Sequence, residues 1–115
     1  MDINDTIIAP STPIGVSAIS VIRISGKNSI LLSNKVFKNK DLLKVNSHTL
    51  HYGSIVYKSE IIDEVVISIF KAPKSFTKEN VVEISCHGSP FIIEKIISIF
   101  LILGARMANH GEFTL

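Results

Sequence analysis

The clearest alternation of apolar and polar positions runs through residues 81–90, Val-Val-Glu-Ile-Ser-Cys-His-Gly-Ser-Pro. Along a strand successive side chains point to opposite faces, so Val82, Ile84 and Cys86 share one face and Val81, Glu83, Ser85 and His87 the other. The first is the natural core side; from the second, three polar groups project together. Gly88 permits a tight turn, Ser89 suits a helix N-cap and Pro90 the first helical position. A helix is then predicted over 90–103. It is apolar nearly all round, and Glu94, Ser98 and Ile102 mark a narrow outer stripe at four-residue spacing with Lys95 on its flank. Such a helix calls for cover on more than one side, from the sheet or from a second subunit.

The same reading orders the rest of the chain. Residues 5–9 form a short first strand, closed by Pro10-Ser11-Thr12-Pro13, and 17–24 a second, whose apolar residues on both faces make it central. Arg23 is the exception, on the face of Ile19 and Val21. Burying a charge there is costly unless it is paired, so a carboxylate such as Glu83, an anionic ligand, or both should meet it. Residues 27–37 read as a helix with Ile30, Leu31, Val36 and Phe37 inward, and the lysine-rich 38–47 as a loop. Strands 48–57 and 61–70 pair as a hairpin around Lys58-Ser59-Glu60, with Gly53 as a bulge. Residues 71–80 form a loop of the length often used for binding, Gly104 ends the second helix, and 105–108 add an edge strand. The sum is a mixed α/β (α+β) fold over 1–115, a single domain with a mixed sheet of about five strands and two or three helices. Its close at Gly111-Glu112-Phe113-Thr114-Leu115 reads as a cut through a longer chain.

Composition refines this only at the margins. Hydrophobic residues at 46% and charged ones at 19% describe a folded, greasy domain. A formal charge of +2 does not demand a nucleic-acid partner, and Lys35, Lys38, Lys40 and Lys44 read as a solvated loop. A lone Cys86 excludes an internal disulfide and fits a reducing cytoplasm. No signal peptide is visible, and the greasiest stretch, 91–103, is broken by Glu94-Lys95 and falls short of the roughly 20 residues that span a bilayer. The expectation is a cytoplasmic protein with no membrane partner. Gly26-Lys27-Asn28-Ser29 lacks the upstream glycine and the hydroxyl of a phosphate loop.

His48, His51, Cys86 and His87 fail as a metal site, since each close pair diverges to opposite strand faces and no standard spacing exists. A Cys86–His87 nucleophile pair fails for the same reason, and no catalytic residue emerges. Glu83 carries the strongest signal, because a carboxylate between Val82 and Ile84 in mid-strand must be met by something. Ser85 and His87 are accessory candidates, His87 either capping the turn or touching a ligand.

An ordered set of short blocks adds to this reading: Asp5-Thr6-Ile7-Ile8-Ala9, Thr12-Pro13 with Gly15, Val21-Ile22-Arg23-Ile24-Ser25-Gly26, His51-Tyr52-Gly53, Asp63-Glu64-Val65, Pro73 with Ser75-Phe76-Thr77, Val82-Glu83-Ile84-Ser85-Cys86-His87-Gly88, Gly104-Ala105-Arg106 and Gly111-Glu112-Phe113-Thr114. From about Asp5 to the last residue, the chain resembles the N-terminal domain of the MnmE (TrmE) family of tRNA-modification GTPases. The resemblance implies a homodimerising domain, similar to folate-binding domains of the aminomethyltransferase type, that binds 5-formyltetrahydrofolate or methylenetetrahydrofolate. It implies that Arg23 and Glu83 contact the folate and that a family lysine lies beyond Thr114. It further implies a helical region and a GTP-binding domain in the whole enzyme, with GTP, Mg and K bound only there. An FAD-dependent partner, MnmG (GidA), completes an enzyme that adds an aminomethyl-type group to the wobble uridine of tRNA.

Two departures stand out. Ile14-Gly15-Val16-Ser17-Ala18 replaces a Gly-rich run, and Thr77-Lys78-Glu79-Asn80 replaces Thr-Gly-Glu-Asp. The competing readings are a free-standing folate-dependent one-carbon transferase and a purely structural dimerisation module.

Overall fold

A computed structural model of the chain describes residues 5–11, 18–73, 79–109 and 111–113. The β-branched stretches become strands and the longer apolar periods become helices. In chain order these are β1 (Ile7–Pro10), β2 (Ile19–Ser25), α1 (Ser29–Val36), β3 (Phe37–Lys38), a 3₁₀ turn (Leu42–Lys44), β4 (Thr49–Tyr57), β5 (Glu60–Phe70), β6 (Val81–His87), α2 (Pro90–Ile102) and β7 (Arg106–Met107). The strands form one sheet in the order β3-β4-β5-β6-β2-β1-β7. Every pairing is antiparallel except that of β1 with β7. The fold is therefore mixed α/β, with seven strands and two helices among the described residues. Beyond the five longer strands, β3 lies where the end of the first helix (Phe37) and the start of the loop (Lys38) were expected, and β7 is the edge strand expected over 105–108, two residues long.

Both helices bury their apolar sides in the same cluster. Ile8, Ile22, Ile24, Ile67, Ile69, Ile84 and Cys86 from the sheet pack there with Ile30, Leu32 and Val36 of α1 and Ile93, Ile96 and Phe100 of α2. Strand alternation sends the other face of β2 and β6 away from that layer, and there Arg23, Glu83 and Ser85 are only half-buried. The expected inward set of the first helix needs one correction. Leu31 is exposed and Leu32 is buried, while Ile30 and Val36 are inward as expected and Phe37 is buried from β3. Ser29 anchors the start of α1, its hydroxyl donating to the carbonyls of Gly26 and Asn80. Gly26 itself adopts φ 133°, and a Cβ there would stand 2.9 Å from Thr6 Cα, so only glycine fits the corner between β2 and α1.

The second helix begins as its sequence predicts. Ser89 accepts from the Ile92 amide at 3.4 Å, with Pro90 in the first turn. Its outer stripe is the expected one: Glu94, Ser98 and Ile102 are exposed, together with Phe91 and Leu101. The β4–β5 hairpin closes through Lys58 and Ser59, both at positive φ, the primed-turn geometry that matches strand twist. Its irregularity lies between Ile55 and Val56 and not at the expected Gly53. The features expected at residues 12–17 and 74–78 lie outside the described residues.

Candidate functional site

The register of β6 against its neighbours sets the candidate site. Glu83 stands opposite Arg23 on β2 and opposite Ser68 on β5, while Arg23 stands opposite Ala9 on β1. Directly opposite positions on one face bring side chains into contact. Arg23 donates through Nε and Nη2 to the same carboxylate oxygen, Glu83 Oε2, at 2.9 and 2.6 Å. The two side chains keep 24% and 23% exposure, so the pair is desolvated in part yet reachable from solvent. Glu83 Oε1 accepts no hydrogen bond among the described residues. The carboxylate partner that a mid-strand arginine requires is thus Glu83, as the alternation indicated.

Ser85 faces Val21 and Val66 in the next rung. It lines a mainly apolar cavity of about 210 Å³ with Ile19, Glu64, Val66 and His87. His87 ends the strand, and Asp63 holds it twice: the His87 amide donates to Oδ2 at 2.8 Å, and Nδ1 lies 2.7 Å from Oδ1. Asp63 is nearly buried while the imidazole is 70% exposed. The carboxylate therefore fixes the turn and leaves the outer ring edge open. Single-strand alternation could not single out Asp63, which lies across the sheet, although the Asp63-Glu64-Val65 block was a visible signal. Cys86 points into the core, where burial, reinforced by the charge of Asp63, pushes its thiol up to about 11. It is a protonated core residue and not a nucleophile. Among the described residues no three His, Cys, Asp or Glu side chains group to hold a metal ion.

Two contacts escaped the sequence reading. Ser25 Oγ donates to Glu79 Oε2 at 3.1 Å, tying the end of the 71–80 loop to β2. The Phe113 ring lies over the Arg23 guanidinium, 5.7 Å from centroid to Cζ. Arg106 organises that arrival. Its Nη1 and Nη2 grip both oxygens of Glu112 at 2.8 and 2.6 Å, and its Nε reaches Asp5 at 2.9 Å. Glu112 also accepts from the Asn109 amide. The hydrogen bonds from Arg106, then that from Asn109, hold the Glu112 carboxyl down at about 2.

Comparison with known proteins bears directly on this arrangement. Residues 6–115 match the family model described as "GTP-binding protein TrmE N-terminus". The chain belongs to the TrmE N-terminal family. Relatives named "tRNA modification GTPase MnmE" occur in Streptococcus thermophilus (53% identical over 110 residues), Lacticaseibacillus paracasei (54% over 112) and Flavobacterium johnsoniae (53% over 114). In each case 96% of this chain is covered and 24% of the relative, so the chain spans about a quarter of the length of the curated relatives it matches. Arg23, Glu83, Asp63, Arg106 and Phe113 all fall inside the matched TrmE N-terminal segment.

Proposed function

We propose that this chain is the reduced-folate-binding and homodimerising domain of a cytoplasmic GTPase that modifies the wobble uridine of tRNA. One observation carries the folate reading. Glu83 presents a carboxylate on a half-exposed sheet face, and a single arginine fixes it through one oxygen. The amino-pyrimidine edge of a pterin offers two coplanar N–H donors, which a carboxylate can accept as a matched pair. Arg23 holds the orientation of that carboxylate, and its rigid fork can also meet ligand oxygens. Ser85 and the open edge of His87 extend the same face toward the rest of the ligand. Bound 5-formyltetrahydrofolate or methylenetetrahydrofolate would supply a one-carbon unit.

Membership of the TrmE N-terminal family and the name of the relatives support the wider setting. GTP hydrolysis would reside in the remaining three-quarters of such a protein, since this sequence holds no GxxxxGK[ST] loop. An FAD-dependent partner of the MnmG type and tRNA would join through the whole enzyme. The lone buried thiol suits a reducing compartment, and among the described residues no helix is long and apolar enough to cross a membrane.

Calorimetric titration of 5-formyltetrahydrofolate tests the reading. Saturable heat is expected from the chain, and Glu83→Ala should weaken binding by roughly 10- to 100-fold, the scale of hydrogen bonds to a charged group. The Arg23–Glu83 bond also satisfies itself without a ligand, which favours a structural dimerisation module as the second reading. Silence from this chain and from the longer protein that includes the family lysine would establish that alternative.

A further inference from the structure

The geometry points to Phe113 as a positioning residue of the Glu83 site, set in place by the Arg106 clamp; this rests on the folate reading above. A guanidinium pinned to one carboxylate oxygen can still pivot about that contact. Two features among the described residues restrict that pivot. Glu83 Oε2 takes both Nε and Nη2, fixing the guanidinium in its plane. Phe113 covers a face of that plane at 5.7 Å, within the range where a cation is drawn to a ring. The ring therefore holds the Arg23 fork in its orientation, and the fork in turn holds Glu83 turned for its ligand.

Phe113 does not reach this position through a helix or a strand. It follows Glu112, which Arg106 grips through both carboxylate oxygens. Arg106 is fixed on β7, opposite Ile7, by the parallel pairing with β1, and its Nε bonds to Asp5 just before that strand. A bidentate arginine–carboxylate pair sets orientation as well as distance. The sheet edge thus positions Arg106, Arg106 positions Glu112, and Glu112 delivers the ring to Arg23. This chain of contacts links residues more than a hundred positions apart in sequence to the one carboxylate that the folate reading needs.

The test titrates 5-formyltetrahydrofolate into the chain and into Phe113→Leu, Phe113→Ala and Phe113→Tyr, with the Arg23 Nε–H resonance followed by NMR in the ligand-free proteins. Leucine retains apolar bulk but has no π face. Phe113→Leu should therefore lose about three- to tenfold in affinity at an unchanged melting temperature, the range expected for a partly exposed cation–π contact. Phe113→Tyr should restore binding to within about twofold. The Arg23 Nε–H signal should shift in the leucine and alanine variants, which lose the ring current, and stay close to wild type in the tyrosine variant. If Phe113→Leu binds as tightly as wild type, the ring is packing alone and the inference falls while the folate reading stands. If wild type gives no binding either as this chain or within the longer protein that includes the family lysine, both fall together.

Discussion

A Cβ placed on Gly53 would stand 2.6 Å from Phe37 Cζ and would also collide with the Lys38 carbonyl oxygen. This single position decides whether β3 can lie against β4. Ordinary Cβ contacts begin well beyond that distance, and a backbone carbonyl cannot rotate aside as a side chain can. Gly53→Ala should therefore destabilise the chain by about 1–3 kcal/mol, the usual cost of forcing extra volume into a packed site. Urea denaturation checks this through a lower midpoint at an unchanged slope. The glycine was visible in the sequence as a bulge candidate; its actual reason, the Phe37 ring, was not. Glu83 shows the opposite case. A carboxylate between two buried apolar residues announces an unmet need in the sequence alone, and Arg23 announces the same need on the next strand. Asp63 announces nothing of the kind, because its two bonds to His87 depend on which strands are neighbours.

At the scale of elements, the segment from β7 to Phe113 is held by charge more than by burial. Arg106 bonds both Asp5 and Glu112, and the Glu112 carboxyl is drawn from its ordinary 4.5 to about 2. A carboxyl whose folded value is depressed stabilises the fold above its unfolded value and loses that contribution as pH falls through the folded one. Wild type should therefore exceed Glu112→Gln in denaturation midpoint by a constant margin above about pH 5, with the gap closing as pH falls from 4.5 towards about 2. Urea titrations of the two proteins across that range would show it, and a gap that ignores pH would mean the clamp carries no charge-dependent stability. The helices belong to a different regime. Ser89, Pro90 and the apolar period of α2 specify it locally, which is why its predicted and observed bounds differ by a single residue.

On the scale of the whole molecule, two helices cover one face of the sheet and leave the other partly open. On that open face Leu50, Tyr52 and Ile19 are 70%, 66% and 63% exposed. The outer stripe of α2 adds Phe91 and Ile102, at 70% and 68%. Large apolar side chains gathered on one face of a small domain commonly mark an association surface. Sedimentation equilibrium should find the chain as a dimer, in keeping with the function proposed above. Leu50→Glu with Tyr52→Glu should weaken that dimer at least about tenfold, while Phe91→Glu with Ile102→Glu should leave it intact; a charge on the interface costs more than a factor of ten in affinity. The reverse outcome would move the interface to the helix, and two unchanged proteins would place it elsewhere.

By itself the sequence determined the mixed α/β class, the strands that carry the site, the inward face of β6, the caps of α2 and the pairing needs of Arg23 and Glu83. All of these follow from short-range physics: alternation along a strand, periodicity along a helix, and the cost of an unpaired charge away from water. Only the tertiary structure decided that β6 lies between β5 and β2, that β3 joins the sheet beside β4, and that Asp63 meets His87, Glu79 meets Ser25 and Phe113 meets Arg23. Those contacts join residues distant in sequence, and strand order and register create them. No local pattern encodes which distant segment will arrive, because the selection is made by the free energy of burying one shared core.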